Sequence, residues 1–268
     1  MNNFEKFSSL HRQRQVLILP NAWDAASARV IQEAGAQAIA TTSAGVAWAL
    51  GFADGYKMTA KLNAQVAESI ARVISIPLSV DFENGYSDDP AVVAENIKPL
   101  LDAGVAGINI EDGHDSPDLL ARKIAAIRKV AEGQGVGLYI NARTDVYLAG
   151  LVSPAEMVSE SIKREKQYAE AGASGIFVPV VTNGEEIAQI AEHSTLPLNI
   201  LAMPGLPKAD HLANLGVKRL SAGTGVSKTI WSAVAKTAKA FITDGDFSAF
   251  DIEATPASDL QTLFSADM

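Results

Sequence analysis

The sequence predicts a single-domain α/β chain folded as a (β/α)8 barrel, on three observations. A helix–glycine–strand junction recurs, eight short apolar runs alternate with amphipathic helical segments, and the 268 residues suit one large core. The junction occurs as Glu33-Ala34-Gly35-Ala36, Asp102-Ala103-Gly104-Val105, Glu170-Ala171-Gly172-Ala173 and Asn214-Leu215-Gly216-Val217. Glycine just past a helix accepts the left-handed C-cap conformation, and a tight loop then feeds a buried strand. Strands follow at 38–40, 107–110, 175–178 and 218–220. Four more are read from apolar runs bounded by turn signals, at 16–19, 78–80, 137–140 and 198–202.

Helices are expected over 25–33, 60–73, 90–103, 117–131, 154–171, 184–192, 208–214 and 226–242. Asp89-Pro90, Ser116-Pro117 and Ser153-Pro154 mark starts, because Asp or Ser caps and proline suits the first turn. Eight alternating strands and helices close into a barrel that fills one domain, 1–268. The polar stretch 243–268 reads as a C-terminal extension, packed outside the barrel or on a neighbouring subunit. The rival architecture is a doubly wound open sheet. It would call for a Gly-x-Gly-x-x-Gly turn after the first strand, and this chain has none there.

Composition narrows the function classes. A formal net charge of −9 provides no basic footprint for nucleic acid. Any anionic substrate must be drawn in by local positive groups. The absence of cysteine excludes disulfides, zinc thiolates and a thiolate nucleophile. No run of about 20 apolar residues is present, so no membrane span is expected. The N-terminus lacks an apolar signal core, which leads to the expectation of a cytoplasmic protein.

In such a barrel the chemistry gathers at the C-terminal strand ends. The first strand delivers Asn21, Trp23 and Asp24, and the second Thr42, Ser43, Ala44 and Gly45, with Asp54 in the following loop. The third gives Asp81, Glu83 and Asn84; the fourth Glu111, Asp112 and His114; the fifth Asn141, Arg143 and Asp145. The last three strands end less polar, in Val178-Pro179, Met203-Pro204 and Ser221-Ala222. Carboxylates this close repel unless a cation or proton intervenes. An oxygen-only donor set points to Mg²⁺ or Mn²⁺ over zinc at Asp81, Glu83 and Glu111. The plainer alternative is that single acids cap the following helices. Arg143 suits bidentate binding of a carboxylate, or else a salt bridge to Asp145 or Glu111. Thr42, Ser43 and the backbone at Ala44-Gly45 offer hydroxyl and N–H donors to an anionic oxygen.

Together these blocks resemble the isocitrate lyase/phosphoenolpyruvate mutase superfamily, over about residues 10–243. Leu19-Pro20-Asn21-Ala22-Trp23-Asp24 is similar to the first-strand signature, and Thr42-Ser43-Ala44-Gly45 to the substrate-binding turn. Gly51-Phe52-Ala53-Asp54-Gly55 is similar to the segment bearing the loop aspartate. Asp81-Phe82-Glu83-Asn84-Gly85-Tyr86 resembles the metal motif, followed by matching Ile110-Glu111-Asp112 and Asn141-Ala142-Arg143-Thr144-Asp145 blocks.

The resemblance implies Mg²⁺ held by Asp81, directly, or through water by Glu83 and Glu111. It implies a small α-oxo acid contacted by Ser43, Ala44, Gly45 and Arg143 and oriented by Asp54, with C–C or P–C cleavage through a metal-stabilised enolate. It also implies a homo-oligomer, a dimer or tetramer, whose last helix packs on a neighbour. The chain departs from the lyase pattern after the fourth strand. A short Glu111-Asp112-Gly113-His114-Asp115-Ser116 loop stands where lyases carry a cysteine-bearing loop. Pro179 stands where they place a glutamate, and the longer loop of the phosphonopyruvate branch is not evident. His114 is the candidate replacement acid/base, a surface loop histidine being the plainer alternative. Expected activity is C–C cleavage or decarboxylation of an α-oxo acid. The alternatives are a phosphonopyruvate-type enzyme and a keto-acid-binding protein without catalysis.

Overall fold

A computed structural model describes residues 1–250 and 260–265. Nine parallel strands form one sheet: β1 (Leu17–Leu19), β2 (Asn21–Ala22), β3 (Ile39–Thr41), β4 (Leu78–Asp81), β5 (Gly107–Glu111), β6 (Tyr139–Arg143), β7 (Gly175–Val178), β8 (Leu198–Leu201) and β9 (Val217–Ser221). β1 pairs with β9 and β2 pairs with β3, and only Pro20 separates β1 from β2. The two are halves of one strand, interrupted where proline has no N–H for the ladder. The expected eight-strand (TIM) barrel therefore closes at this strand, where Leu17 pairs with Arg219 on one side and Asn21 with Ala40 on the other.

The surrounding helices are α1 (Asn3–Leu10), α2 (Ala25–Glu33), α3 (Ser43–Ala49), α4 (Ala60–Ala71), α5 (Pro90–Asn96), α6 (Lys98–Asp102), α7 (Pro117–Gly133), α8 (Met157–Glu170), α9 (Gly184–His193), α10 (Ala209–Asn214), α11 (Gly225–Asp244) and α12 (Leu260–Ser265). Several boundaries differ from the sequence reading. The helix expected over 90–103 is two pieces, because Pro99 has no N–H to continue the ladder at their junction. The stretch at Thr42–Gly45, expected as a turn, opens α3 with Thr42 as its N-cap. Before the first strand, α1 lies across the N-terminal mouth of the barrel: Phe7 is fully buried and meets Tyr139 edge-on at 5.4 Å. Of the extension at 243–268, α12 lies among the described residues, and its Leu263 and Phe264 face a groove beside Arg29 and Arg72 outside the barrel. Residues 251–259 and 266–268 of that extension lie outside the described residues.

Two apolar layers hold the barrel. Strand residues such as Ile39, Val80, Ile108, Ile140, Ile176 and Ile200 join the helices in the main core, all at most 1% exposed. Their alternates point inward, where Leu17, Leu19, Ala40 and Tyr139 pack with Phe7 at the lower end. Above them the interior turns polar. Asn109 Oδ1 accepts from Asn141 Nδ2 at 2.9 Å and from the fully buried Arg219 Nη2 at 3.1 Å. Asn21 bridges the seam, donating to the Thr41 carbonyl at 2.7 Å and accepting from the Gly223 N–H at 2.8 Å. Among the described residues no helix is long and apolar enough to cross a membrane.

Candidate active site

The polar layer opens upward into a cavity of about 190 Å³ at the C-terminal strand ends, lined on one side by Thr42, Ser43, Asp54, Asp81, Asn109 and Arg143. A wider mouth of about 560 Å³ continues outward past Glu83, Glu111, His114 and Asp145. The residues expected to contact substrate or metal line these two spaces, except Gly45, while Trp23, Asp24 and Asn141 line neither. Gly45 does not line either space; a Cβ there would lie 2.6 Å from Thr42 Cγ2 and 3.1 Å from Trp23 Cβ, so its role is close packing behind Thr42. His114 is exposed and lines only the outer mouth.

Each acid is fixed by protein donors. The Ser43 N–H donates to Asp81 Oδ2 at 3.1 Å, and the Glu83 N–H to Asp81 Oδ1 at 3.3 Å. Tyr56 clamps two acids, donating its N–H to Glu83 Oε2 at 2.8 Å and its hydroxyl to Glu111 Oε1 at 2.7 Å. The Tyr86 hydroxyl donates to Glu83 Oε1 at 2.9 Å and accepts from Asn63 Nδ2. Three of these residues occupy left-handed backbone, Tyr56 (φ 63°), Glu83 (φ 49°) and Tyr86 (φ 61°). Such strain costs about 1–3 kcal/mol at each position and gathers where side chains must be aimed.

Arg143 does not choose between its two expected partners. Its Nη1 meets Glu111 Oε2 at 2.7 Å, while Nε and Nη2 meet the Asp145 carboxylate at 2.6 and 2.9 Å. Asp145 is held in turn, its N–H donating to Asp112 Oδ1 at 2.8 Å. Asp112, 1% exposed, also accepts from Arg164 Nη1 at 2.8 Å and the Tyr168 hydroxyl at 2.5 Å. It is a buried girder under the site, not a ligand group.

Burial pushes the Glu111 carboxyl above the usual range, and repulsion from Asp81 and Asp145 adds to that, against the pull of Arg143. Burial likewise raises Glu83, with Asp81 and Asp54 contributing. Both carboxyls are thus held toward their neutral form, mainly by burial, with the neighbouring acids adding repulsion. Among the described residues, no group of three or more acids or histidines is placed to hold a metal ion, the trio of Asp81, Glu83 and Glu111 included.

Tyr56, Asn109, Leu148 and Phe177 were not singled out by sequence reasoning. Tyr56 and Leu148 sit in loops with no distinguishing pattern, whereas Asn109 and Phe177 carry a signal in hindsight: each points inward from a strand already assigned.

The family model described as phosphoenolpyruvate phosphomutase matches residues 7–242. An uncharacterized protein of Mycobacterium tuberculosis, Rv1998c, is 38% identical over 244 residues, 90% of each chain. Oxaloacetate decarboxylase 1 of Pseudomonas fluorescens is 31% identical over 246 residues, 88% of this chain and 84% of that one. The structure of 2,3-dimethylmalate lyase superposes with a TM-score of 0.87 over 100% of this chain and 96% of that one; at 24% identity this is a likeness of fold. Matched over nearly its whole barrel, the chain belongs to the phosphoenolpyruvate phosphomutase family.

Proposed function

We propose that this chain is an enzyme that breaks a carbon–carbon bond on the carbon beside the oxo group of a small α-oxo carboxylate, by lyase cleavage or decarboxylation. The observation that carries the reading is Arg143, locked by Glu111 and Asp145 and opening onto a small cavity shared with Thr42, Ser43 and Asp81. Its two η nitrogens retain further N–H bonds beyond those given to the acids, enough to orient a substrate carboxylate. The likeness to oxaloacetate decarboxylase 1 agrees with this chemistry.

Asp81 would hold a divalent cation such as Mg²⁺ or Mn²⁺, with Glu83 and Glu111 acting through water. That ion supplies positive charge where negative charge develops on the oxo-acid oxygens. Thr42 and Ser43 hydroxyls orient the oxo group, and Asp54, lining both cavity and mouth, fixes its far side. When the bond breaks, its electron pair stays on the carbon beside the oxo group. Protonated His114, the one histidine lining the mouth among the described residues, then gives a proton to that carbon and is left as neutral imidazole.

The test is product analysis on oxaloacetate, 2-methylmalate-type acids and phosphonopyruvate with Mg²⁺. Turnover of the carbon acids supports the reading. Turnover of phosphonopyruvate alone favours P–C chemistry, which the family model's description keeps open. Mg²⁺-dependent oxalate binding with no product marks a binding protein. Asp81→Ala should abolish metal-dependent binding while the barrel stays folded.

The same family reading implies a homo-oligomer. α11 supports it, leaving Val234 (52%), Phe241 (51%) and Ile242 (81%) exposed along one helix. Light scattering should give a multimer that Val234→Glu breaks, and a monomeric native chain would overturn the assignment.

A further inference from the structure

Arg219, on β9, is the largest of the fully buried side chains and carries its charge into the barrel interior. Its Nη2 reaches across to β5, donating to Asn109 Oδ1 at 3.1 Å. Among the described residues, Nε and Nη1 have no hydrogen-bond partner. Burial pulls the guanidinium down to about 10, so it stays charged at neutral pH. No carboxylate meets that charge directly. Asp81 acts on it only through space, and both Asp81 oxygens already accept from the Ser43 and Glu83 N–H groups.

Other polar atoms on the same level are left over. Asn199 stands opposite Arg219 in the β8–β9 register, and its Nδ2 has no partner. The Tyr139 hydroxyl and Asn141 Oδ1 on β6, and His11 Nε2 on the ring stacked against Tyr139, are unpartnered as well. These groups adjoin one another. A Cβ on Gly175 would come within 2.5 Å of the Tyr139 hydroxyl and 2.9 Å of Asn141 Oδ1. Asn141 Nδ2 donates to the same Asn109 oxygen that Arg219 holds. His11 Nδ1 faces the Phe7 carbonyl at 2.8 Å, so Nδ1 carries the proton and Nε2 is an acceptor.

Donors therefore outnumber acceptors. Arg219 Nε and Nη1 offer three N–H bonds, the Asn199 amide two and the Tyr139 hydroxyl one, against two acceptors, Asn141 Oδ1 and His11 Nε2. Buried polar groups find partners, in water or an ion where the chain supplies none. Water would satisfy the hydrogen bonds here but leave a buried positive charge unmatched, which is the costlier defect.

From this arrangement we infer that the barrel floor is an anion site: Arg219 Nε and Nη1, with the Asn199 amide and the Tyr139 hydroxyl, hold one small monovalent anion of the chloride class. A monoatomic ion suits side chains that are each at most 3% exposed, with Phe7 closing the floor against Tyr139. The ion lies just below the substrate cavity, because Asn109 lines that cavity and accepts from Arg219. The site stands independently of the oxo-acid reading.

Crystals of the full chain grown with bromide in place of chloride test the site directly, since bromide scatters anomalously. The expected result is an anomalous peak at hydrogen-bond distance from Arg219 Nε or Nη1. In solution, thermal unfolding in sodium chloride and in sodium gluconate at matched ionic strength should differ. Gluconate is too large for the floor, and Tm should be about 5–10 °C higher in chloride once free chloride is about a hundredfold above its Kd. Arg219→Met should erase the difference. Should that variant not fold, Tyr139→Phe removes one donor and should raise the half-saturating chloride concentration about tenfold. Bromide confined to the protein surface, a water at the floor without anomalous signal, or equal Tm in the two salts overturns the proposal.

Discussion

Removing the Asp112 carboxylate should destabilise the protein severely although the residue borders only the outer mouth and lies outside the inner cavity. In Asp112→Ala, Arg164, with a side chain 9% exposed, keeps only Glu160 at 2.9 Å as its partner. The buried Tyr168 hydroxyl and the Asp145 N–H lose their acceptor as well. Breaking a buried ion pair from one side costs about 3–5 kcal/mol. The orphaned hydroxyl adds to the same rearrangement and is not counted separately. At roughly 2–4 °C per kcal/mol for a chain of this size, Tm should fall by about 6–20 °C. Asp112→Asn keeps an acceptor for Tyr168 and should fall less. Urea unfolding of Asp112→Ala, Arg164→Met and the double variant gives the coupling directly, expected at about 1–3 kcal/mol. Because Asp112 holds Asp145, and Asp145 holds Arg143, oxalate affinity should drop in parallel. A loss below about 1 kcal/mol, or no coupling, would refute the girder role.

Other consequences concern the barrel floor. His11, 2% exposed and stacked on Tyr139 at 4.0 Å, is lowered to about 3 by burial and by Arg219. Its folded value lies below the ordinary 6.5, so the unfolded chain takes up the proton first. Stability is fully present above pH 6.5 and is lost as pH falls toward 3, by on the order of a few kcal/mol. His11→Phe should flatten the urea midpoint between pH 7 and 4 relative to the native chain; an unchanged slope counts against it. Gly107→Ala places a Cβ 2.8 Å from Phe7 Cε1 and 2.9 Å from the Tyr139 carbonyl. Because a backbone atom cannot yield cheaply, the loss should be about 1–3 kcal/mol by thermal unfolding, and no loss would mean that α1 yields freely.

The sequence alone determined the alternation of strands and helices, and with it where the chemistry lies. Glycine C-caps and apolar runs are local signals, and in a barrel the strand order follows chain order, so Asp81, Glu111 and Arg143 had to land on neighbouring strands. The proline break at Pro20 and the split at Pro99 were written in residue type too, but their consequences depend on which N–H the ladder needs. Tertiary structure alone decided the partners. Arg143 had two candidate acids and took both, because β5 pairs Glu111 with Arg143 on β6 while Asp145 folds back two residues on. Tyr56 reaches Glu83 and Glu111 from a loop whose path no periodicity encodes. The lining of the inner cavity was legible only in part; that Leu148, Phe177, Pro179 and Leu201 share it with Thr42, Ser43, Asp81 and Arg143 follows from barrel closure, which joins residues far apart in the chain.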